Sequence, residues 1–407
     1  MTTRSKTTWR TVRLGDVSEL STAQVNPRNL GDTPVDHFSI PAFDAGKIPV
    51  RERASSIQSN KFVVPKGTVL LSKLNPRVPR VWKPSVNNNT QAVASTEFMV
   101  FVPREVDRDF LFYLFQRKAF LGALAGQAGG TSTSHQRAIP SAVLDTGIAV
   151  PKDVNEQKRI AEVLVVFDDK IELNNKISRT LEQIAQEIYK EWFVNFRFPG
   201  HERIKMVDSE LGKIPEGWDV KNIGSIANVV LGGTPSRLKP EYWGGKIPWI
   251  NSGKVNEFRV TSASEYITEA GLKNSNARLM PKRTTVIAIT GATLGQVGLL
   301  EIEASANQSV VGVFSSNVLL PEFVYLYIKE RIEDLIGSAT GGAQQHINKQ
   351  VVEDYPVLVP DGDVLAMFAN AVEPVFNQIA NSIYENQKLA ALRDLLLPKL
   401  MSGEVGI

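Results

Sequence analysis

Two short segments of the chain carry basic and amide side chains at a density that suits contact with an anionic polymer. Residues 72–83 read SKLNPRVPRVWK, and residues 231–253 read LGGTPSRLKPEYWGGKIPWINSG. Lysine and arginine bind phosphates or the O6 and N7 atoms of guanine, and asparagine pairs with adenine. We therefore interpret both segments as candidate nucleic-acid-binding loops, with solvated surface turns as the alternative.

Two further polar segments, TSTSHQR at 131–137 and AQQHINK at 343–349, are of the same kind. They are rich in hydroxyl, amide and basic groups suited to base edges. The candidate DNA-binding residues of the first half of the chain are Lys73, Asn75, Arg77, Arg80, Lys83, Thr131, Ser132, Ser134, His135, Gln136 and Arg137. Those of the second half are Thr234, Ser236, Arg237, Lys239, Lys246, Lys254, Thr290, Thr293, Gln344, Gln345, His346 and Lys349.

The same residues do not form the motifs of common enzymes. A P-loop needs G-x4-G-K-[ST], but Lys246 is followed by Ile247, and no Rossmann G-x-G-x-x-G opens a helix. The chain has four histidines and no cysteine, and no two histidines are spaced as a metal pair. Without a nucleophile–base constellation, we expect no catalytic residue and no bound metal.

Composition is typical of a folded protein with polar partners. The 407 residues are 43% hydrophobic and 22% charged, with a net charge of +3. That charge permits a nucleic-acid partner but requires a local basic surface. The first residues lack the apolar core of a signal peptide, and no run is long enough for a membrane span, so we expect a cytoplasmic protein without a membrane partner.

The elements that must position these loops occur twice. WRTVRLGDV from Trp9 matches WDVKNIGSI from Trp218, and PKGTVLLS from Pro65 matches PKRTTVIAIT from Pro281. AGGTSTSHQR matches TGGAQQHINK, and IAVP matches VLVP, in the same order and always about 210 residues apart. Each copy mixes β-rich runs and turns with one late amphipathic helix, DRDFLFYLFQRKAFLGAL or PEFVYLYIKERIEDLI. The pattern predicts two similar α+β domains.

A long heptad helix follows each domain. Both apolar seams have 4,3 spacing with a polar interruption, at Asn174 and Ser178 in the first and Asn386 in the second. Pro374 is expected to kink or delay the second helix, and Pro398 to close it. The predicted seam residues are Ile160, Leu164, Phe167, Ile171, Leu181, Ile188, Phe376, Ile379, Ile383, Leu389, Leu392 and Leu396.

The order domain–helix–domain–helix favours an antiparallel coiled coil with a pseudo-twofold internal repeat. The alternative is that each helix packs only on its own domain. We assign the two α+β domains to 1–152 and 199–360, the central long helix to 153–198, and the C-terminal long helix to 361–407. Two related modules on a rigid spacer suit a two-part DNA site.

Several segments together resemble the specificity subunit of type I restriction–modification systems. They are LGGTPSRLKPEYWGGKIPWINSG, TGATLGQVGLL, NQSVVGVF and TGGAQQHINKQVVEDYPVLVP, with the helical stretches ISRTLEQIAQEIYKEWFVNF and NQKLAALRDLLLPKLMSGEV. The resemblance extends over nearly the whole chain. It implies two target-recognition domains, antiparallel helices and binding to an asymmetric bipartite sequence in double-stranded DNA.

The resemblance also implies partners. Two adenine-N6 methyltransferase subunits and motor/nuclease restriction subunits would join the chain, and S-adenosylmethionine would bind the methyltransferase rather than this chain. The chain itself lacks the [DN]-P-P-[YF] motif of adenine methyltransferases. Candidate partner contacts on the helices are Tyr189, Trp192 and Phe193, which fit the intramolecular seam equally well. The rival interpretations are a coiled-coil scaffold without DNA specificity and a stand-alone nuclease or DNA-modifying enzyme.

Overall fold

A computed structural model describes residues 8–87, 89–126, 136–315, 320–338 and 347–406. The chain forms two compact units. Unit 1 comprises residues 1–173 and 385–407, and unit 2 comprises residues 174–384. Because the two long helices are each divided between the units, the units differ from the sequential domain boundaries set from sequence.

Unit 1 is built from short strands and helices that precede the first half of a long helix. Its strands are β1 (Trp9–Arg13), β2 (Ser18–Leu20), β3 (Gln24–Val25), β4 (Pro34–Phe38), β5 (Val50–Arg53), β6 (Lys61–Val63), β7 (Val69–Ser72), β8 (Val81–Trp82), β9 (Gln91–Ala94), β10 (Phe98–Pro103) and β11 (Gly147–Pro151). Its helices are α1 (Leu14–Val17), α2 (Ile40–Asp44), α3 (Arg108–Gln116), α4 (Lys118–Gly126), α5 (Pro140–Leu144) and the first half of α6 (Val154–Phe193).

Unit 2 repeats this organisation with different insertions. Its strands are β12 (Met206–Ser209), β13 (Gly212–Pro215), β14 (Asp219–Asn222), β15 (Ala227–Leu231), β16 (Trp243–Ile250), β17 (Arg259–Val260), β18 (Glu265–Ile267), β19 (Thr285–Ala288), β20 (Val297–Leu300), β21 (Ser305–Ala306), β22 (Val310–Ser315) and β23 (Pro356–Val359). Its helices are α7 (Ile223–Ile226), α8 (Glu269–Lys273), α9 (Pro321–Ser338), α10 (Lys349–Asp354) and the first half of α11 (Gly362–Leu400), and it also contains the second half of α6.

The predicted repeat is present as matching sheets. In unit 1 the order β2-β10-β7-β8 is antiparallel throughout, and unit 2 has β15-β22-β19-β20 in the same arrangement, extended by β17. The apolar runs predicted as strands form the buried centres of both sheets. Unit 1 adds the five-stranded sheet β3-β6-β9-β4-β5, whereas unit 2 adds the three-stranded sheet β18-β16-β21. The predicted α+β class is confirmed.

The repeated tryptophan–glycine motif has a packing explanation. The strand after each tryptophan pairs antiparallel with the strand before a long helix, β1 with β11 and β14 with β23. A short helix follows, α1 or α7, and its glycine lies against the short helix that precedes the pairing strand, α5 or α10. A β-carbon on Gly15 would lie 3.3 Å from the Leu144 β-carbon, and one on Gly224 would lie 3.1 Å from that of Glu353. Both copies therefore need a small residue at this helix crossing.

One predicted helix is two helices in unit 1. The amphipathic segment of the first copy breaks at Arg117, whose backbone is extended, and this separates α3 from α4. The matching segment of the second copy is the single 18-residue helix α9. The apolar face of each packs into the core of its own unit, through Phe110 and Leu114 in α3 and through Phe323 and Leu326 in α9.

The two long helices are confirmed, with corrections at the prolines. α6 has 40 residues and α11 has 39. The expectation that Pro374 delays α11 is wrong, because the helix begins at Gly362 and continues through this position. Pro374 lies on the exposed face, where the carbonyl that loses its helical hydrogen bond can bind water. The last helical residue is Leu400, two positions after Pro398, so the helix ends two residues later than expected.

In unit 1 the first half of α6 and the second half of α11 pack antiparallel. Ile160 and Leu164 of α6 share a buried cluster with Leu400, and Leu396 packs on it. Phe167, Ile171 and Leu389 are half-buried. The seam assignment of Leu392 is wrong, since its side chain is 49% exposed. The neighbouring Arg393 turns inward instead, because it has an acidic partner on α6.

In unit 2 the second half of α6 packs antiparallel with the first half of α11. Phe376 and Ile379 are fully buried, whereas Leu181, Ile188 and Ile383 are half-buried. The polar interruption in the seam is confirmed as buried, at Asn174 and Ser178.

The predicted partner contacts on α6 need correction. Tyr189 and Phe193 are only 4% and 6% exposed and belong to the core of unit 2, so they are packing residues rather than a partner surface. Trp192 is half-buried, with its ring centroid 5.8 Å from that of Phe368 on α11. The intramolecular alternative therefore holds for Tyr189 and Phe193.

A charged network anchors the long helices inside unit 1. The Tyr113 hydroxyl on α3 donates a hydrogen bond to Asp168 on α6 over 2.6 Å. Arg393 on α11 donates to the other oxygen of Asp168, and burial together with this carboxylate raises the pKa of Tyr113. Asp168 is thus the point where three helices of unit 1 meet.

Unit 2 has a more deeply buried network. Glu182 on α6 accepts hydrogen bonds from the Tyr325 hydroxyl and the Lys329 ammonium group, each over 2.7 Å. Its carboxylate also lies 3.5 Å from Arg259, which is 1% exposed and pairs with the buried Glu301 at 3.3 Å. Burial by itself raises the pKa of Glu182, but Lys329 and Arg259 outweigh it and hold the pKa below its usual value.

Candidate nucleic-acid interface

The first candidate loop connects strands β7 and β8 in a hairpin of unit 1. β7 and β8 pair antiparallel, and the Ser72 amide donates to the Arg80 carbonyl over 2.9 Å at the base of the loop. Asn75 adopts a left-handed backbone with φ of 46°, a conformation that asparagine tolerates better than most residues. The Val78 amide donates to the Asn75 carbonyl over 2.9 Å. The loop is therefore held by its own backbone as well as by its side chains.

The end of the second polar segment joins this loop. The Asn75 amide donates to the Gln136 carbonyl, and the Ala138 amide to the Lys73 carbonyl, each over 2.8 Å. Arg137 forms two hydrogen bonds of 3.0 Å with Glu97, and these hold the pKa of Glu97 below its usual value. Residues separated by about sixty positions thus share one surface, as expected of a composite recognition site.

The basic side chains of the first loop differ in their availability. Arg77 is exposed and forms no ion pair with any described residue. Arg80, by contrast, is 13% exposed and holds Asp44 through bonds of 2.7 and 2.8 Å. Lys83 pairs with Asp109 at 2.9 Å and lies over the Phe112 ring. Arg77 is the best placed of the three for DNA contact, while Arg80 and Lys83 already have acidic partners within unit 1.

Part of each polar segment lies outside the described residues. These positions are Thr131, Ser132, Ser134, His135, Gln344, Gln345 and His346. Their assignment as DNA contacts remains a prediction from sequence.

The glycines that open the second candidate loop are required by close backbone approach. After β15, a β-carbon on Gly232 would lie 2.1 Å from the Asn307 carbonyl oxygen, and one on Gly233 would lie 2.3 Å from the Asn276 carbonyl carbon. Such distances exclude any side chain without backbone movement. The approach places the Thr234 hydroxyl 2.5 Å from the side-chain oxygen of Gln308.

The two tryptophans of this loop have different roles. Trp249 is buried, and its indole N–H donates to the Gly233 carbonyl over 3.1 Å. Trp243 is half-buried and supports Arg237, whose Cζ lies 3.5 Å from the ring centroid. Arg237 also forms bonds of 2.6 and 2.7 Å with Glu265, which raise its pKa. Trp249 is therefore a core residue, and Trp243 supports a surface arginine.

The other predicted cations of this loop are spread over the surface of unit 2. Lys246 and Ser236 are exposed. Lys239 donates to the Tyr242 hydroxyl over 3.1 Å, and Lys254 binds Glu257 and the Ser262 hydroxyl, each at 2.9 Å. In the loop between β19 and β20, Thr290 and Thr293 are half-buried.

A groove of about 660 Å³ in unit 2 collects several polar side chains. It brings the predicted Thr234 and Lys349 together with residues that sequence reasoning missed, namely Asn276, Arg278 and Gln308. The three missed side chains are exposed and carry amide or guanidinium groups that match adenine and guanine edges. Asn276 and Arg278 are far from Gln308 and from Thr234 in the sequence, and only the glycine contacts reveal the proximity of these three segments.

Other kinds of site receive no support within the described ranges. No group of three or more histidine, aspartate or glutamate residues there is arranged to hold a metal ion. No helix in the same ranges is long and apolar enough to cross a membrane.

Comparison with known proteins gives the class of protein. The family described as type I restriction modification DNA specificity domain matches residues 6–183 and again residues 215–381. Together these ranges cover most of the chain, with one match for each copy of the repeat. The chain belongs to this family, and its role is DNA target recognition within a type I restriction–modification system.

Individual relatives agree with this assignment. The chain is 27% identical over 351 residues to the type I restriction enzyme MjaIX specificity subunit of Methanocaldococcus jannaschii, covering 85% of this chain and 79% of the relative. It is 24% identical to the HindI specificity subunit of Haemophilus influenzae, covering 85% and 88%. A crystal structure of the S subunit from M. genitalium shares the fold, with a TM-score of 0.56, 16% identity and 98% coverage of both chains.

Proposed function

We propose that the chain recognises an asymmetric, two-part sequence in double-stranded DNA. One half-site would be read by unit 1 through the surface around Asn75 and Arg77. The other would be read by unit 2 through the groove around Thr234 and Gln308. The observation that carries this proposal is that the central sheets of the two units have the same strand order, while their loops present different polar side chains.

The difference between the loops supports an asymmetric rather than a palindromic site. Two copies with the same reading side chains would read the same sequence twice. Unit 1 instead offers arginine and asparagine from a proline-containing hairpin, while unit 2 offers amides and an arginine from a glycine-dependent groove. Phosphate contacts would orient each unit, and base-edge contacts would select the sequence.

We further propose that the chain directs catalytic subunits to this sequence. Two adenine-N6 methyltransferase subunits and the restriction subunits would supply the chemistry, with S-adenosylmethionine bound by the methyltransferase. The relatives named as specificity subunits of type I restriction enzymes support this role. Because Tyr189 and Phe193 are buried, we expect the partner subunits to contact the exposed faces of α6 and α11 instead.

Mapping adenine methylation across the genome of the source cell, with and without this gene, tests the proposal. A split adenine-methylated motif with two different halves should disappear on deletion and return on complementation. If complementation with the methyltransferase present yields no motif, the scaffold interpretation gains support. DNA binding by the purified complex that is absent or independent of salt would favour it further.

A further inference from the structure

A second groove, in unit 1, adjoins the hairpin loop but does not follow from the sequence pattern. Its volume is about 890 Å³, and it is bounded by the β7–β8 loop, the α3–α4 junction and the end of α11. Its basic lining residues are Lys47, Arg77, Arg117, Lys118 and Arg393. The acidic lining residue, Asp394, is bound to Arg393 at 2.8 Å.

Most of the positive charge in this groove is uncompensated. Arg393 has Asp168 and Asp394 as partners. Arg77, Arg117 and Lys118, in contrast, form no ion pair with the residues that the structure describes. Lys47 forms no ion pair there either, but burial lowers its pKa and the charge of Asp168 offsets part of that effect. Burial lowers the pKa of Arg117, since nothing nearby offsets its desolvation. Unpaired cations that repel one another are stabilised by an anionic ligand with several charges.

We infer that this groove of unit 1 binds the DNA backbone phosphates that flank the half-site read by the adjoining hairpin loop. Arg77 belongs both to that loop and to the groove, so the two surfaces are continuous. The inference rests on the proposed function and adds binding residues to it, namely Lys47, Arg117 and Lys118. Their contribution is independent of sequence, because phosphates carry no base information.

The salt dependence of DNA binding tests this assignment. The full chain, purified with its methyltransferase partner, is titrated with a duplex containing the mapped motif and with a duplex lacking it. The double variant Lys47→Asn, Lys118→Gln removes two charges, and asparagine suits the left-handed backbone at position 47, where φ is 59°. The slope of log K against log salt should become shallower by about 0.9 for each phosphate that the variant no longer neutralises.

The expected loss of affinity is equal for both duplexes, so the ratio between them stays unchanged. The matched control is Lys66→Gln, Lys158→Gln, which removes two exposed charges of unit 1 outside the groove. The control should keep the wild-type slope, and Lys118→Arg should keep it as well. Unchanged thermal unfolding of all variants excludes misfolding as the cause.

Three results overturn the inference or separate it from the proposed function. A wild-type slope in the groove variant, with specific binding intact, contradicts the phosphate site. Intact DNA binding with weakened capture of the methyltransferase assigns the groove to an acidic protein surface instead. If the wild-type complex does not distinguish the two duplexes, the proposed function fails, while the slope of its non-specific binding still tests the groove.

Discussion

The two units anchor the same long helices through different arrangements of charge. In unit 1 a tyrosine on the helix after the central sheet binds Asp168 of α6, and the compensating cation comes from α11. In unit 2 the corresponding tyrosine binds Glu182 of α6, and the cations come from α9 and β17. The hydrogen bond from tyrosine to α6 is common to both, whereas the source of positive charge is not.

The polar surfaces differ in the same way. Unit 1 concentrates unpaired cations beside a hairpin loop, and unit 2 gathers amides and one arginine in a groove formed by close backbone contacts. The sheets that carry these surfaces keep the same strand order. The comparison indicates that the strand frame and the tyrosine contact position the surfaces, while the loops are free to differ because they add little to the core.

The largest expected effect tests whether the network of unit 2 is the stronger anchor. Glu182→Gln removes the carboxylate that pairs with Lys329 and Arg259 and leaves Arg259 with Glu301 alone, and removal of one member of a buried ion pair costs roughly 3–5 kcal/mol. Tyr325→Phe is the control, since it removes one hydrogen bond at about 1 kcal/mol. Chemical unfolding of the full chain measures both. Equal effects of the two variants would contradict the assigned role of the Glu182 charge.

The pH dependence of the same variant provides a second measure. Because the folded pKa of Glu182 is lower than its unfolded value, the contribution of its charge is fully present above the unfolded value, about 4.5, and is lost progressively as pH falls below it through the folded value. The stability difference between wild type and Glu182→Gln should therefore shrink on acidification below that pH. A difference that stays constant from neutral pH to about pH 3 would exclude this linkage.

Gly233→Ala should disrupt the polar groove of unit 2 and leave unit 1 unchanged. The new β-carbon would meet the backbone at residue 276, and overpacking of this kind costs about 3 kcal/mol. Recognition of one half-site should be lost while the other is retained, as measured by methylation mapping. The control Gly337→Ala, on a helix with no atom near the added β-carbon, should be neutral or slightly stabilising. Loss of both half-sites would argue against independent units.

Arg77→Ala should weaken DNA binding through unit 1 without changing its fold. Loss of an exposed base or phosphate contact costs about 1–3 kcal/mol in affinity. Arg80→Ala is a matched control, because its partner is Asp44 within the protein, and it should affect stability more than DNA affinity. Electrophoretic mobility shifts and thermal unfolding, carried out on both variants, separate the two effects. The reverse pattern would show that the loop residues are wrongly assigned.

Asp168→Asn should have the smallest effect, about 1 kcal/mol in unfolding free energy. The Asp168 side chain is partly exposed, Arg393 retains Asp394, and asparagine can still accept the bond from Tyr113. Comparing the unfolding free energies of Asp168→Asn and Glu182→Gln shows how burial changes the stabilisation from the tyrosine–carboxylate contact. Calorimetry of the two variants should show the larger shift for Glu182→Gln.

Much of the fold could be predicted from sequence because it depends on periodic patterns. The repeat, the sheets and both long helices follow from apolar spacing and matched motifs. The prediction for Leu392 is wrong because heptad spacing alone cannot show that the neighbouring Arg393 pairs with Asp168 on α6. The burial of Tyr189 and Phe193 could not be predicted for a similar reason, since an apolar stripe on a helix does not reveal which surface packs against it.

The candidate site was predictable only where its residues are contiguous. The hairpin loop with Asn75 and Arg77 was evident, and the structure places it on the surface of unit 1. The grouping of Asn276, Arg278 and Gln308 depends on backbone approach at Gly232 and Gly233, and no linear spacing encodes it. The pairing of Arg80 with Asp44 depends likewise on a contact between distant segments.

The most direct test of one half-site per unit is methylation mapping of two variants in parallel. Asn75→Gly removes the side chain of the unit 1 reading loop at a left-handed position that glycine adopts without strain, and Gln308→Ala alters the groove of unit 2. We expect each variant to relax the sequence requirement in one half of the split motif, and the two variants to affect opposite halves. Relaxation of the same half by both, or of both halves by either, would contradict the assignment of one half-site to each unit.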